Sequence, residues 1–318
     1  MSKPIIPVFF TISDDYSPYL GVALKSAILN SSKENIYKAI IIYESLSDEN
    51  RQKLCDLATE NFTVEFVPMK SGLEAITDKM GNRLRSDYFT LTIYYRIFIA
   101  EMFPEYDKGI YIDSDVVLEG DIANLYNFDL GDNYIGACRD FSIMYVPELV
   151  EYIECALGLD RTHYINSGVL LMNLKKLREL NVSEHFLSLY TKYQFDCLAP
   201  DQDYLNIMCN GKILYLPEQW NTMPNKDRPV LDDVNLIHYN LFWKPWGYDH
   251  ITYYENFWKY AKLSPYYEEL KNIRDTYSDE QRASDKECLG LLISRGHEIP
   301  NQEGTVKKIT ETGVKIKL

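Results

Sequence analysis

The first half of the chain alternates short runs that are apolar throughout with stretches of helical spacing, and this alternation restricts the fold more than any other feature. Val8-Phe9-Phe10-Thr11-Ile12 gives way, through the polar turn Ser13-Asp14-Asp15-Tyr16, to a helix predicted over 19–29. Ala39-Ile40-Ile41-Ile42-Tyr43 is followed by the helix-start signal Ser47-Asp48-Glu49-Asn50, a helix predicted over 52–60, and then Val64-Glu65-Phe66-Val67. A strand apolar on both faces must be covered on both faces, and strands separated by helices run parallel. The expected class is α/β: a Rossmann-like, mostly parallel central sheet with helices on both faces, here without a G-x-G-x-x-G phosphate loop.

Further strands are predicted at 109–112, 116–118, 134–138, 168–173, 213–215 and 234–238. A helix over 90–103 places Tyr94, Ile97, Phe98 and Met102 on one face. Beyond about residue 250 the texture changes to aromatic helix, over 253–271 and 279–294. The tail reads as a short hairpin, 306–310 and 314–318 around Gly313. The division expected is therefore 1–250 as the α/β domain and 251–318 as a C-terminal helical and aromatic extension. Many of the 26 tyrosines fall between 239 and 277, beside Trp243, Trp246, Phe257 and Trp258. Such a belt favours packing over membrane-surface or sugar-stacking roles.

A net charge of −14 repels phosphate backbones, so nucleic acid is not an expected partner. Residues 301–318 differ, with Lys307, Lys308, Lys315 and Lys317 against Glu303 and Glu311. This local excess suits a peripheral contact with an anionic membrane surface. No 18-residue apolar window and no signal peptide is found, so the expected location is the cytoplasm, extending to the inner face of the membrane. The six cysteines show no C-x-x-C spacing and are read as reduced packing residues.

Chemistry concentrates at Asp113-Ser114-Asp115, which ends the apolar run Gly109-Ile110-Tyr111-Ile112. Side chains alternate along an extended chain, so both carboxylates project to one side and can grip one cation together. In isolation such a pair is more often a solvated turn. Four other groups each have a bland reading as well. Asn166-Ser167-Gly168 before an apolar run is a common turn, Asp201-Gln202-Asp203 opens a helix with Asp201 as its N-cap, His238 ends an apolar run as a core histidine, and Lys244-Pro245-Trp246 is a stiff basic turn. Together they fit one task, the neutralisation of a departing diphosphate by a metal and a lysine. Two carboxylates and an imidazole suit Mn²⁺ better than Mg²⁺, so Asp113, Asp115 and His238 are the expected metal ligands.

At this point the sequence resembles glycosyltransferase family 8, the retaining nucleotide-sugar transferases. The resemblance is carried, in order, by residues 10–16, Tyr94-Tyr95-Arg96, residues 110–115, Gly136-Ala137-Cys138-Arg139-Asp140, residues 166–174, residues 201–206, and His238 with Lys244-Pro245-Trp246. It implies a GT-A fold and a UDP-hexose donor held with Mn²⁺. Thr11, Asp15 and Tyr16 would meet uridine, Arg96 and Asp140 the sugar hydroxyls, Asn166 and Ser167 the hexose, and Lys244 the diphosphate. Ser114 would join the donor contacts, and Asp201 and Gln202 would lie nearest the anomeric carbon. The acceptor implied is a cell-surface glycan or glycoprotein. Residues 1–250 are then the nucleotide-sugar transferase domain, and the extension 251–318 is expected to shape acceptor or membrane-surface contact. The chain departs from the family at Ser13, where bacterial galactosyltransferases carry an aspartate, and at Leu241, where a glycine is frequent. Two alternatives are a sugar-nucleotide-binding protein without turnover and a phosphatase of the D-x-D type. The latter carries its motif on the first strand, whereas about a hundred residues of α/β precede it here.

Overall fold

The computed structural model describes residues 4–69 and 91–318. The first units are β1 (Ile5–Ile12), α1 (Ser17–Asn30), β2 (Ile36–Tyr43), α2 (Asp48–Cys55) and β3 (Phe62–Pro68). Ser47 starts α2 as anticipated, its hydroxyl accepting the Asn50 N–H. Next come α3 (Tyr95–Met102), β4 (Gly109–Ile112), β5 (Val116–Leu118), α4 (Ile122–Tyr126), β6 (Ile135–Arg139), α5 (Pro147–Glu151) and β7 (Ile165–Met172). The helix expected over 90–103 is a 3-10 turn, Leu91–Tyr94, leading into α3, while Thr90 lies outside the described residues.

The chain continues as α6 (Leu174–Glu179), α7 (Val182–Tyr193), α8 (Pro200–Met208), β8 (Ile213–Tyr215), β9 (Leu236–His238), α9 (Tyr254–Ala261), α10 (Tyr267–Thr276), α11 (Asp279–Glu298) and α12 (Val306–Glu311). The predicted helix over 253–271 is thus two helices, divided around Pro265, which cannot continue α9. No helix among the described residues is long and apolar enough to cross a membrane.

The main sheet has seven strands in the order β3-β2-β1-β4-β7-β6-β8. Every pairing is parallel except those of β7, which runs antiparallel to both β4 and β6. Alternate side chains feed two cores. Val8, Phe10, Ile41 and Ile110 belong to the one containing α1, α9 and α10, and Phe9, Ile40, Ile42 and Tyr111 to the one containing α3, α7 and α8. Much of the aromatic belt is packing, as expected: Tyr239, Trp246, Phe257, Trp258 and Tyr266 are all buried in the α1-side core, whereas Trp243 is exposed.

Two local expectations are corrected. Residues 306–311 are helix rather than the first arm of a hairpin, because the Thr305 hydroxyl caps the Lys308 N–H and Val306 is buried. Residues 314–318 form no strand, and Leu318 instead donates its N–H to the Met208 carbonyl at 3.0 Å. In addition, Asn166, Ser167 and Gly168 lie inside β7 rather than before it.

Burial of tyrosines sets an alkaline limit on the fold. Burial, then the Asp121 carboxylate bonded to its hydroxyl, pushes Tyr37 up to about 12, and burial with the charge of Glu44 does the same for Tyr95. Their folded-state values exceed the unfolded one, so this stability is complete below about pH 10 and is lost as pH rises toward 12. Tyrosinate absorbance of the native protein at about pH 11 is expected to fall short of that of the urea-unfolded chain. Equal absorbances would contradict it.

Candidate active site

The reversed strand β7 builds the site. Its first residues lie beside the carboxyl end of β4, where parallel sheets place their ligands. Ile112 pairs with Val169, and the Asp113 N–H extends the ladder to the Gly168 carbonyl at 2.8 Å. The chain then turns into β5, which pairs antiparallel with β9 so that Val116 stands opposite His238. That register brings together residues more than a hundred positions apart. One ligand atom from each of Asp113, Asp115 and His238 lies within 4.8 Å of the others.

Each member of the triad is oriented by a further group. His238 is buried, and its Nδ1 lies 3.0 Å from Asn221 Oδ1, while Nε2 faces Asp115 Oδ1 at 3.3 Å and Asp113 Oδ2 at 3.7 Å. Asn221 Oδ1 can only accept, because its Nδ2 donates to Asn166 Oδ1 at 2.9 Å. Nδ1 therefore carries the proton and Nε2 offers its lone pair to the cleft. The Tyr111 hydroxyl donates to Asp113 Oδ1 at 2.6 Å and meets Thr11 Oγ1 at 3.0 Å. Burial would raise the Asp115 carboxyl, but Lys244 at 2.5 Å and His238 overcome it and hold it well below the usual carboxylate range. Lys244 also donates to the Tyr239 carbonyl.

Arg96 ties this triad to α8. Its Nη2 is 2.9 Å from Asp113 Oδ1, its Nε 3.2 Å from Asp201 Oδ2, and its Nη1 donates to the Ser167 carbonyl at 2.8 Å. The guanidinium lies 4.4 Å from the Tyr111 ring centroid. Asp201 is not an N-cap, which was its bland reading. That position is Ala199, with Pro200 opening α8 and the Asp203 carboxylate accepting the Ala199 N–H.

Asp203 also takes the hydroxyls of Tyr152 and Tyr164 at 2.7 and 2.5 Å, so it is committed to the core. Asp201 and Gln202 face the cleft. Asp201 Oδ2 accepts the Ser167 hydroxyl at 2.9 Å, but the buried Oδ1 has no partner. Gln202 accepts the Ser167 N–H at 3.1 Å and donates to Asp140 Oδ2 at 3.0 Å. Asp140 is buried behind it, also holding Asn166 and Ser142. Removing Arg96 would leave the buried Asp201 and the partly exposed Asp113 without their cation. Arg96→Met is expected to cost about 3–5 kcal/mol, lowering the melting temperature by roughly 5–7 °C. A shift below about 1 °C would show that the guanidinium is not what holds α8 against β4.

Thr11, Asp15, Tyr16, Arg96, Ser114, Asn166, Ser167, Asp201, Gln202, Lys244 and the triad all line one cleft of about 550 Å³, and Asp140 alone of the expected residues stands behind its wall. The profile of the family described as Glycosyl transferase family 8 matches residues 7–250. The chain belongs to glycosyltransferase family 8. It is 30% identical to a Haemophilus influenzae protein described as a glycosyltransferase, over 74% of this chain and 72% of that one. It is 27% identical to the lipopolysaccharide 1,2-glucosyltransferase of Escherichia coli K12, over 78% and 76%.

Among solved structures, an active-site mutant of LgtC superposes with a TM-score of 0.70 at 24% identity, covering 88% of this chain and all of that one. The bifunctional glycosyltransferase WbbM gives 0.72 at 22%, and this chain spans about half (52%) of its length. The fold is thus GT-A, and family 8 membership makes the protein a hexosyltransferase. The D-x-D pair follows the fourth strand among the described residues, and with the family match this removes the phosphatase alternative.

The two departures from the family pattern both fall on the cleft. Ser13 lines it, and Leu241 keeps the left-handed backbone, φ 58°, that a glycine would take without strain. Sequence reasoning missed Asn221 and Tyr111, which fix the triad. Nothing in Trp220-Asn221-Thr222 distinguishes it from an ordinary loop until the fold sets it beside His238.

Proposed function

We propose that this family 8 enzyme moves glucose or galactose from a UDP-sugar, with retention, onto a cell-surface glycan or glycoprotein, using Mn²⁺ held by Asp113, Asp115 and His238. The observation that carries the reading is the convergence of two carboxylates and an oriented imidazole with Lys244 in one cleft. The residues fit a divalent cation: the donor set is mixed oxygen and nitrogen, and Asn221 leaves the imidazole lone pair free to ligate. Bound there, the cation supplies positive charge to a departing diphosphate. The names of the relatives, a glucosyltransferase in E. coli and a galactosyltransferase for LgtC, support a hexose of either kind.

The chain's own groups divide the remaining work. Lys244 presents an ammonium at the cleft for the diphosphate, and the unpartnered Asp201 Oδ1 takes a hexose hydroxyl, a buried acceptor that otherwise costs about 1–3 kcal/mol. Gln202, clamped at both ends of its amide, directs its carbonyl oxygen at charge developing on the anomeric carbon. An amide oxygen is a poor nucleophile, Asp203 is spent on two tyrosines, and Asp201 is bound by Arg96. A front-face route follows: the anomeric carbon–oxygen bond to the diphosphate breaks while the acceptor oxygen bonds on the same face, its proton passing to the leaving phosphate.

The test is release of UDP from UDP-glucose and UDP-galactose by the purified protein. Release should require Mn²⁺, stop on chelation and resume when the metal is restored. A protein that binds these donors but never releases UDP is a binding module, and the reading fails. In the same assay Gln202→Ala should slow turnover about 10²-fold, and near-normal turnover would remove Gln202 from the chemistry.

A further inference from the structure

The family match ends at residue 250, yet the cleft does not. Glu269, Ile273, Tyr277, Gln281 and Asp285 also line it. The first three are spaced four apart, so they share one face of α10 and its C-cap. The chain passes here from one core to the other: Leu270 is buried on the α1 side and Leu292 on the α8 side. The crossing between them runs along the rim of the cleft.

Both ends of this crossing are anchored to parts already given a donor role. Tyr266, just before α10, donates its hydroxyl to the Asn50 carbonyl at 3.3 Å, and Asn50 in turn holds Asp14 in the turn that contains Asp15 and Tyr16. At the other end Tyr277 packs on Gly247, three residues beyond Lys244, so closely that a Cβ at 247 would sit 2.9 Å from the ring. The buried Asp285 then accepts the hydroxyls of both Tyr248 and Tyr277 on one oxygen, at 2.7 and 2.8 Å. This carboxylate latches α11 to the lysine loop.

We infer that α10 and the start of α11 form a third wall of the donor site, flanking the nucleotide from its nucleoside end to its diphosphate and deciding how tightly it is held. The inference rests on the UDP-sugar reading and deepens it. A ten-residue helix is about 15 Å long, enough to run beside a nucleotide from base to phosphates. Its lining is mixed along its length, and the Asp285 carboxylate near the lysine end is held by the Tyr248 and Tyr277 hydroxyls. The acidic Glu269 stands toward the uncharged nucleoside, Ile273 and Tyr277 give an apolar and aromatic surface, and Lys244 closes the anionic end.

The decisive measurement is calorimetric titration of the full chain with Mn²⁺ alone and with UDP in the presence of Mn²⁺. Ile273→Glu sets a negative charge on the wall, and Asp285→Ala releases the latch. Neither touches the metal triad. Each is expected to weaken UDP binding at least about tenfold while Mn²⁺ affinity stays within about twofold. Weakening of UDP alone distinguishes the wall from general damage, which would lower Mn²⁺ affinity and melting temperature together. Should Asp285→Ala fail to fold, Ile273→Glu on the half-buried helix face decides the matter. UDP affinity at the wild-type value in Ile273→Glu overturns the inference. A wild-type protein that binds no UDP overturns the donor reading beneath it.

Discussion

Asp115→Asn is expected to abolish Mn²⁺-dependent UDP release, with a loss of at least about 10³-fold in turnover. The amide has the shape of the carboxylate, so β5 and β9 keep their register. What changes is charge. Asp115 is the member of the triad that meets both the His238 imidazole, at 3.3 Å, and the Lys244 ammonium, at 2.5 Å. An amide there halves the formal negative charge offered to a metal and leaves Lys244 without its anionic partner.

The pH behaviour of the wild type adds a check with a definite sign. Burial would raise the carboxyl, but Lys244 and His238 hold it well below its ordinary value of 3.8. Asp115 therefore remains ionised throughout ordinary assay conditions and loses its charge only under strong acid. An acid limb of activity above about pH 5 must belong to another group. An Asp115→Asn protein that retains even a tenth of wild-type release with Mn²⁺ would show that this carboxylate does not hold the metal.

The fold class was legible because β1 and β2 are buried on both faces, and only helices on both sides can achieve that. The acidic pair was legible for a related reason, since two carboxylates directly after the buried β4 have no core role. His238 was joined to the acidic pair by the chemistry of the donor set, not by any local pattern. β5 and β9 are three residues each, too short for any periodicity, and their pairing comes from the tertiary fold.

The same limit hid the reversal of β7, whose apolar run looks alike in either direction. The core role of Asp203 was not legible, because adjacency in sequence says nothing of which side of a helix start faces the core. The tail was misread through a pattern that serves two structures. Val306 and Ile309 fit a helix as well as a strand, and Thr305 before with Gly313 after were the end signals that decide for helix. Residues 267–285 gave no sign that they line the cleft, because helical spacing fixes a face without naming what that face meets.

Gly168→Ala is expected to cost nearly as much activity as the loss of a ligand, although glycine has no chemistry to lose. A Cβ at this position would stand 2.2 Å from His238 Cε1 and 2.7 Å from Asp113 Oδ2, distances that carbon atoms do not tolerate. Neither neighbour can step aside freely. His238 is pinned by Asn221, by its N–H to the Thr222 carbonyl at 2.8 Å, and by the β5 pairing, while Asp113 is bound by Arg96 and Tyr111. One methyl group must therefore spread the imidazole and the carboxylate apart. Displacement of reacting groups by about 1 Å costs on the order of 10²-fold, and overpacking adds about 1–3 kcal/mol of instability. Mn²⁺ affinity and UDP release should both fall about 10²-fold or more. Unchanged Mn²⁺ binding in Gly168→Ala would mean that Asp113 and His238 do not close on one ion, and the metal centre would have to be sought without one of them.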